Sequence, residues 1–119
     1  MKPHLTIIDD DQGFVELLRE IAEDAGFKVQ TYTYAAFVNV LEQDLPTVIL
    51  LDVWFNSWQS GLDLAKALKH NISLEHVPVV LMSSDIDVGK YSEEVGADSY
   101  LAKPFDMDQL IDTLQTVIN

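Results

Sequence analysis

The sequence predicts an α/β fold in which one sheet of five parallel strands is covered by helices on both faces. Short apolar segments alternate with segments of helical apolar spacing, and the alternation repeats five times along the chain. The segment TVILLD is apolar almost throughout, which is typical of a strand buried on both faces of a parallel sheet. No repeat or linker-like segment divides the 119 residues, so we expect a single domain over 1–119.

The first strand–helix unit is the most clearly marked. HLTIID predicts a buried strand, and Asp11 is a favoured type of residue for capping the helix that follows. Gly26 is placed as the residue just beyond the end of that helix. Its apolar positions recur at helical spacing, and they are Phe14, Leu17, Leu18, Ile21, Ala22 and Ala25. We expect this apolar face to pack on the sheet.

The remaining four units repeat the pattern. Strands are predicted at 27–32, 47–52, 77–83 and 99–103. Helices are predicted at 35–43, 61–70, 87–97 and 106–118. Gly89 weakens the helical pattern of the fourth helix. The last helix is predicted to bury one face formed by Met107, Leu110, Ile111, Leu114, Val117 and Ile118.

Polar residues follow four of the five predicted strands. Right-handed crossovers limit the topology, and we expect the strand order 2-1-3-4-5, in which strands one, three, four and five are neighbours. These strands end in Asp9 and Asp10, Asp52, Ser83 and Ser84, and Lys103 respectively. Because the carboxyl ends of parallel strands meet at one rim, we expect these side chains to converge there, where ligands bind in such sheets.

Three carboxylates crowded together favour a bound cation, because like charges at short range are costly. Asp9 or Asp10 together with Asp52 and a backbone carbonyl would suit Mg²⁺, which prefers oxygen ligands. A carboxylate can also act as a nucleophile toward phosphorus, and Asp52 on the central strand is the best placed. Lys103 and the Ser83 hydroxyl would then neutralise charge on the phosphoryl oxygens.

Composition narrows the classes of function. The net charge of −13 is unfavourable for direct binding of nucleic acid, which relies on Lys and Arg. The chain has no cysteine, which excludes disulfides and thiolate chemistry and fits a cytoplasmic location. No apolar run is long enough to cross a membrane. We therefore expect neither nucleic-acid nor membrane binding.

The sequence resembles the receiver domains of two-component response regulators, of which the chemotaxis protein CheY is one example, over about residues 4–118. Four motifs carry the resemblance in the expected order: IIDD with Asp9 and Asp10, VILLD with Asp52, VPVVLMSS with Ser83, and YLAKPF with Lys103 and Pro104. The resemblance implies a flavodoxin-like (βα)5 fold. It also implies a signalling switch that accepts a phosphoryl group and hydrolyses it slowly, rather than a metabolic enzyme.

The resemblance assigns roles residue by residue. Mg²⁺ would be held by Asp9, by Asp10 as the more direct ligand, by the phosphorylated Asp52 and by the backbone carbonyl of Trp54. Ser83 would move toward the phosphoryl group and Lys103 would pair with it. The Lys103–Pro104 bond would be cis. Tyr100 matches an aromatic residue whose rotamer follows activation, although simple core packing is an equal alternative for it.

The loop after the acceptor departs from the pattern of the family. DVWFNSWQSG lacks the proline that many receivers have there, and the interval from Asp52 to Gly61 is one residue longer. Trp54 and Asp85 occupy positions that flank the phosphoryl group, where they would tune its lifetime. Trp54 and Trp58 would either cover the loop or form a contact patch for a partner.

A second departure is the interval from Ser83 to Lys103, which is about two residues shorter than is common in receivers. We therefore expect a short or irregular fourth helix.

The expected partners are a sensor histidine kinase or phosphotransfer protein as donor, and a downstream protein or fused output domain as target. The protein would be a monomer or a phosphorylation-dependent dimer. The alternative is a phosphorylation-independent binding module with a receiver fold. A flavodoxin-like cofactor carrier is disfavoured, because Asp9, Asp10 and Asp11 would repel a flavin phosphate.

Overall fold

The computed structural model describes residues 2–32, 38–53 and 60–119. Its strands are β1 (His4–Ile8), β2 (Lys28–Tyr32), β3 (Val48–Asp52), β4 (Val79–Ser83) and β5 (Ser99–Ala102). Its helices are α1 (Gln12–Asp24), α2 (Val38–Gln43), α3 (Ser60–His70), α4 (Val88–Val95) and α5 (Met107–Ile118). The strands form one parallel sheet in the order β2-β1-β3-β4-β5, which confirms the predicted fold class and strand order.

Strand residues alternate between two apolar layers, as the period of two along a strand requires. In β3, Leu50 contributes to the layer beneath α1 and α5, while Ile49 and Leu51 contribute to the opposite layer. That second layer is covered by α3 and α4 and includes Leu41 of α2. All five residues of β3 are buried, as expected of the central strand.

The helix ends follow the sequence signals. Asp11 caps α1 by accepting a hydrogen bond from the backbone N–H of Phe14, as predicted. Gly26 lies just beyond that helix with φ of 101°, a conformation that a side chain would strain. Asp106 and Gln109 form a reciprocal capping box at the start of α5. The fourth helix is short, at eight residues, as predicted.

Three apolar positions predicted to face the core do not, because Leu17, Ala25 and Met107 are exposed. Leu17 of α1 is 52% exposed and Met107 at the start of α5 is 60% exposed. The buried residues of α1 are Val15, Leu18 and Ala22, and those of α5 are Leu110 and Leu114. The apolar stripe predicted for each helix was therefore wider than the face that the sheet covers.

Candidate functional site

The carboxyl ends of the strands place the candidate residues through backbone hydrogen bonds. Asp52 is the last residue of β3 and lies opposite Met82 of β4. The N–H of Val53 donates to the carbonyl of Met82 at 3.0 Å, and the N–H of Lys103 donates to the carbonyl of Ser83 at 2.8 Å. The ladder thus continues one residue beyond the strands and fixes where the polar side chains begin.

Three aspartates meet at this rim. One carboxylate oxygen from each of Asp9, Asp10 and Asp52 lies within 4.8 Å of the others. Asp9 and Asp52 are buried, with 1% and 6% of their surface exposed, whereas Asp10 is exposed. Asp9 Oδ1 accepts a hydrogen bond from the N–H of Asp11 at 2.9 Å. A set of carboxylate oxygens open to solvent on one side fits Mg²⁺, which keeps part of its water shell.

Lys103 supplies the positive charge of the site. Its Nζ lies 3.2 Å from Asp52 Oδ1 and 3.5 Å from Asp9 Oδ2. Both contacts are longer than the 2.9 Å ion pair between Lys69 and Asp98 elsewhere in the chain. Lys103 therefore bridges the two buried carboxylates through two long hydrogen bonds.

Burial makes the charged forms of the Asp9 and Asp52 carboxylates less favourable than in water. Burial raises the pKa of Asp9 and of Asp52 above the ordinary value of 3.8. For Asp52 the neighbouring charge of Asp9 raises the pKa further, and the attraction of Lys103 only partly opposes this. The folded state therefore holds these protons more tightly than the unfolded chain does.

This shift predicts how stability depends on pH in the absence of metal. A raised carboxyl pKa contributes stability below about 3.8 that is lost as pH rises through the folded-state value. Asp52→Asn removes the titration, so its free energy of unfolding should exceed that of the wild type increasingly as pH rises from 3 to 7. Urea unfolding of both proteins in EDTA measures this difference. A difference that stays constant or shrinks with rising pH would contradict the proposed burial cost.

Ser83 is fully buried at the end of β4 and is tied to the following turn. Its Oγ accepts a hydrogen bond from the N–H of Asp85 at 3.0 Å. The Asp85 carboxylate in turn accepts hydrogen bonds from the hydroxyl of Tyr91 at 3.2 Å and from the N–H of Asp87 at 2.9 Å. The Asp85 side chain is therefore engaged by the start of α4, and its predicted effect on phosphoryl lifetime stays a prediction.

Tyr100 is 48% exposed, so the core-packing alternative for this residue is wrong. Its ring lies against Gly89 of α4: a Cβ built on that glycine would come within 3.1 Å of Tyr100 Cζ and 3.2 Å of its hydroxyl. The glycine that weakens the helical pattern thus makes room for the ring. The predicted role of Tyr100 as a switch remains a prediction.

Two predicted features of the site have different outcomes. The peptide bond between Lys103 and Pro104 is cis. Trp54, predicted to offer its carbonyl to the metal, and Trp58, its predicted partner in the loop, lie outside the described residues.

Sequence reasoning overlooked one neighbour of the site, Phe14. Its ring lies beneath Lys103, with Nζ 4.6 Å from the ring centroid, and Phe105 packs edge-on against it at 6.0 Å between centroids. These three residues, with Ser84 and Pro104, line a cavity of about 310 Å³. The available signal was position alone: Phe14 stands three residues after the helix cap Asp11, in the turn nearest the rim.

Comparison with known proteins agrees with this architecture. The family model described as the response regulator receiver domain matches residues 5–115. The chain is 28% identical to the phosphate regulon transcriptional regulatory protein PhoB of Rhizobium meliloti, covering 99% of this chain and 53% of PhoB. It is 27% identical to sporulation initiation phosphotransferase F of Bacillus subtilis, covering 97% and 93% of the two chains. The chain thus spans about half the length of its PhoB relatives.

A solved structure shows the same fold. The response regulator receiver protein from Burkholderia phymatum superimposes with a TM-score of 0.84 at 28% identity, covering 98% of this chain and 95% of the other. The match to the family model spans most of the sequence and includes all four strand ends that form the acidic rim. The chain belongs to the family of response regulator receiver domains.

Proposed function

We propose that this receiver accepts a phosphoryl group on Asp52 from a phosphohistidine of a sensor histidine kinase or phosphotransfer protein. The observation that carries the proposal is the meeting of three aspartates and Lys103 at one rim of the sheet. Membership of the receiver family and the likeness to a protein named a phosphotransferase support it. Phosphoryl transfer depends on such positioning and charge neutralisation.

The transfer step is a displacement at phosphorus. A carboxylate oxygen of Asp52 attacks the phosphorus and forms the acyl phosphate as the bond from phosphorus to the donor's imidazole nitrogen breaks. The imidazole leaves with that electron pair and recovers its proton from solvent. Lys103 offsets negative charge at the acceptor, and the Ser83 hydroxyl is a further donor close to the rim. Water later cleaves the acyl phosphate and restores the carboxylate.

We further propose that the site uses Mg²⁺. Asp9, Asp10 and Asp52 would hold the ion, and the resemblance adds the carbonyl of Trp54. When bound, the ion would neutralise the crowded carboxylates and charge on the phosphoryl oxygens. Asp9 is fixed for this role by the hydrogen bond that its Oδ1 accepts from Asp11.

Acetyl phosphate tests the proposal without a partner protein. The protein is incubated with acetyl phosphate and Mg²⁺, and its intact mass is measured. The expected result is the gain of one phosphoryl group, which is lost when EDTA replaces Mg²⁺. An unmodified mass from folded protein would refute the proposal.

The altered loop after Asp52 keeps the alternative of a phosphorylation-independent binding module. The close approach of Asp9, Asp52 and Lys103 argues against it, because a pure binding surface has no need of buried charges that raise each other's energy. Titration of the intrinsic tryptophan fluorescence with Mg²⁺ separates the two functions. A response is expected of a phosphoryl-accepting site, and its absence would favour the binding module.

Phosphorylation is proposed to change the surface formed by α4, β5 and α5. The hydroxyl of Ser83 is bonded to the turn that leads into α4, and the ring of Tyr100 on β5 lies against that same helix. A displacement of Ser83 would therefore move the turn that leads into α4 and change the contact between α4 and Tyr100. Phosphorylation would shift a pre-existing equilibrium between two such arrangements.

Gly89→Ala is expected to displace the Tyr100 ring. The new Cβ would lie 3.1 Å from Tyr100 Cζ, and the tip of the ring is the movable partner. Because alanine also favours helix, stability should change by less than about 1 kcal/mol. Aromatic NMR resonances of Tyr100 report the displacement, and chemical denaturation reports stability. Unchanged Tyr100 resonances would contradict this packing.

Other aspects of the function are proposed from the family. Residues 1–119 would act as one receiver domain, as a monomer or a phosphorylation-dependent dimer, and would direct a downstream protein or a fused output domain. In the part of the chain that the structure describes, no helix combines the length and apolar character needed to cross a membrane. The cytoplasmic location stays a prediction from the sequence.

A further inference from the structure

We propose that Phe14 is a positioning residue that holds the Lys103 ammonium at the phosphoryl-accepting site, an inference that rests on the proposed function. The ring of Phe14 faces Nζ at 4.6 Å, within the range of an attractive cation–π contact. Among the described residues, Lys103 therefore has favourable electrostatic contacts with two carboxylates and one aromatic face. The ring adds this attraction without adding a further negative charge.

The distances indicate that the ammonium is held between these neighbours. Charge-assisted N–H···O contacts close to about 2.7–2.9 Å when nothing opposes them. The Lys69–Asp98 pair reaches 2.9 Å, but Lys103 stays 3.2 Å from Asp52 and 3.5 Å from Asp9. The ammonium thus divides its contacts between two carboxylates and the ring of Phe14.

The ring is itself held in place. Phe14 lies in the first turn of α1, which Asp11 caps through a hydrogen bond from the N–H of Phe14. Phe105 meets it edge-on, with an interplanar angle of 64°. Phe105 follows Lys103 by two residues, so the β5–α5 connection supplies both the cation and the support for its aromatic platform.

The spacing has a chemical consequence. A lysine that closed fully on Asp52 would tie up an oxygen of the nucleophile. A lysine that swung away would leave the developing phosphoryl charge unopposed. Phe14 limits both movements, because the ammonium gains from staying over the ring while it faces the carboxylates.

Two variants separate the aromatic contact from simple packing. Phe14→Leu keeps an apolar side chain but removes the ring, and Phe14→Tyr keeps the ring. We expect Phe14→Leu to lower the maximal rate of phosphorylation by acetyl phosphate about two- to fivefold, the size of a partly exposed cation–π contact. Phe14→Tyr should retain the wild-type rate. The Mg²⁺ concentration for half-maximal fluorescence change should stay constant in both.

An NMR measurement tests the contact independently of phosphorylation. The ring current of Phe14 should shift the ε-methylene protons of Lys103 upfield in the wild type and in Phe14→Tyr, and the shift should vanish in Phe14→Leu. A wild-type rate in Phe14→Leu, or an equal loss in both variants, would overturn the proposal. If acetyl phosphate fails to modify even the wild type, the proposed function fails. The upfield shift of the Lys103 ε-methylene protons still tests whether Lys103 lies over the Phe14 ring.

Discussion

Asp52→Asn is expected to reduce phosphoryl uptake from acetyl phosphate to background. Asparagine has nearly the same shape as aspartate and can still accept the hydrogen bond that Lys103 donates to Asp52 Oδ1. Its amide is not a nucleophile toward phosphorus, so the acceptor is lost while the surroundings stay in place. Intact mass after incubation with acetyl phosphate and Mg²⁺ measures the loss.

Asp11→Asn is the matched control for this experiment. Asp11 stands beside the acidic cluster in the sequence, but its side chain caps α1, and asparagine caps helices about as well as aspartate. This variant should accept the phosphoryl group at close to the wild-type rate. Persistent modification of Asp52→Asn at the wild-type level would place the acceptor at another residue and contradict the assignment.

The fold was predictable because its strand order and layers follow from simple patterns of apolar residues along the chain. An apolar run such as the one ending at Asp52 can be stable only when both of its faces are covered. Alternating such runs with helices leaves few topologies once crossovers must be right-handed. The same argument predicts that Asp9, Asp52 and Lys103 meet at one rim, and in the structure Lys103 contacts both carboxylates.

Helix faces were predicted less well, for a geometric reason. Hydrophobic spacing identifies an apolar stripe, but it does not reveal how wide a strip the neighbouring elements cover. Leu17 and Met107 lie at the uncovered part of their stripes and are exposed, whereas Leu18 and Leu110 are buried. Only the packed positions of the helices on the sheet distinguish these pairs.

The contacts around Lys103 could not be predicted from the sequence. Strand ends predict which residues meet, but the direction of a side chain at the rim depends on the neighbouring loops. Phe14 was assigned to the apolar face of α1, yet its ring also supports Lys103. No pattern in the sequence links two residues so far apart, because the contact arises from how α1 and the β5–α5 connection pack.

Gly61→Ala is expected to destabilise the protein by about 3 kcal/mol or more, at the upper end of the cost of overpacking a filled site. A Cβ at this position would overlap the backbone carbonyl oxygen of Asp52 and lie 2.6 Å from that of Val53. Gly61 is the glycine that the resemblance to receivers picked out after the acceptor. Its role is therefore to let the start of α3 approach the acceptor strand.

Gly13→Ala is the matched control, because it adds the same methyl group at another helix start. There the nearest atom to the new Cβ is Asp11 Oδ1 at 3.6 Å, an ordinary contact. This variant should be neutral or gain at most about 1 kcal/mol. Urea unfolding compares the two, and equal stabilities would contradict the close approach at Gly61. Because the overlapped atoms belong to the backbone at Asp52, any folded Gly61→Ala protein should also accept phosphoryl groups more slowly, whereas Gly13→Ala should not.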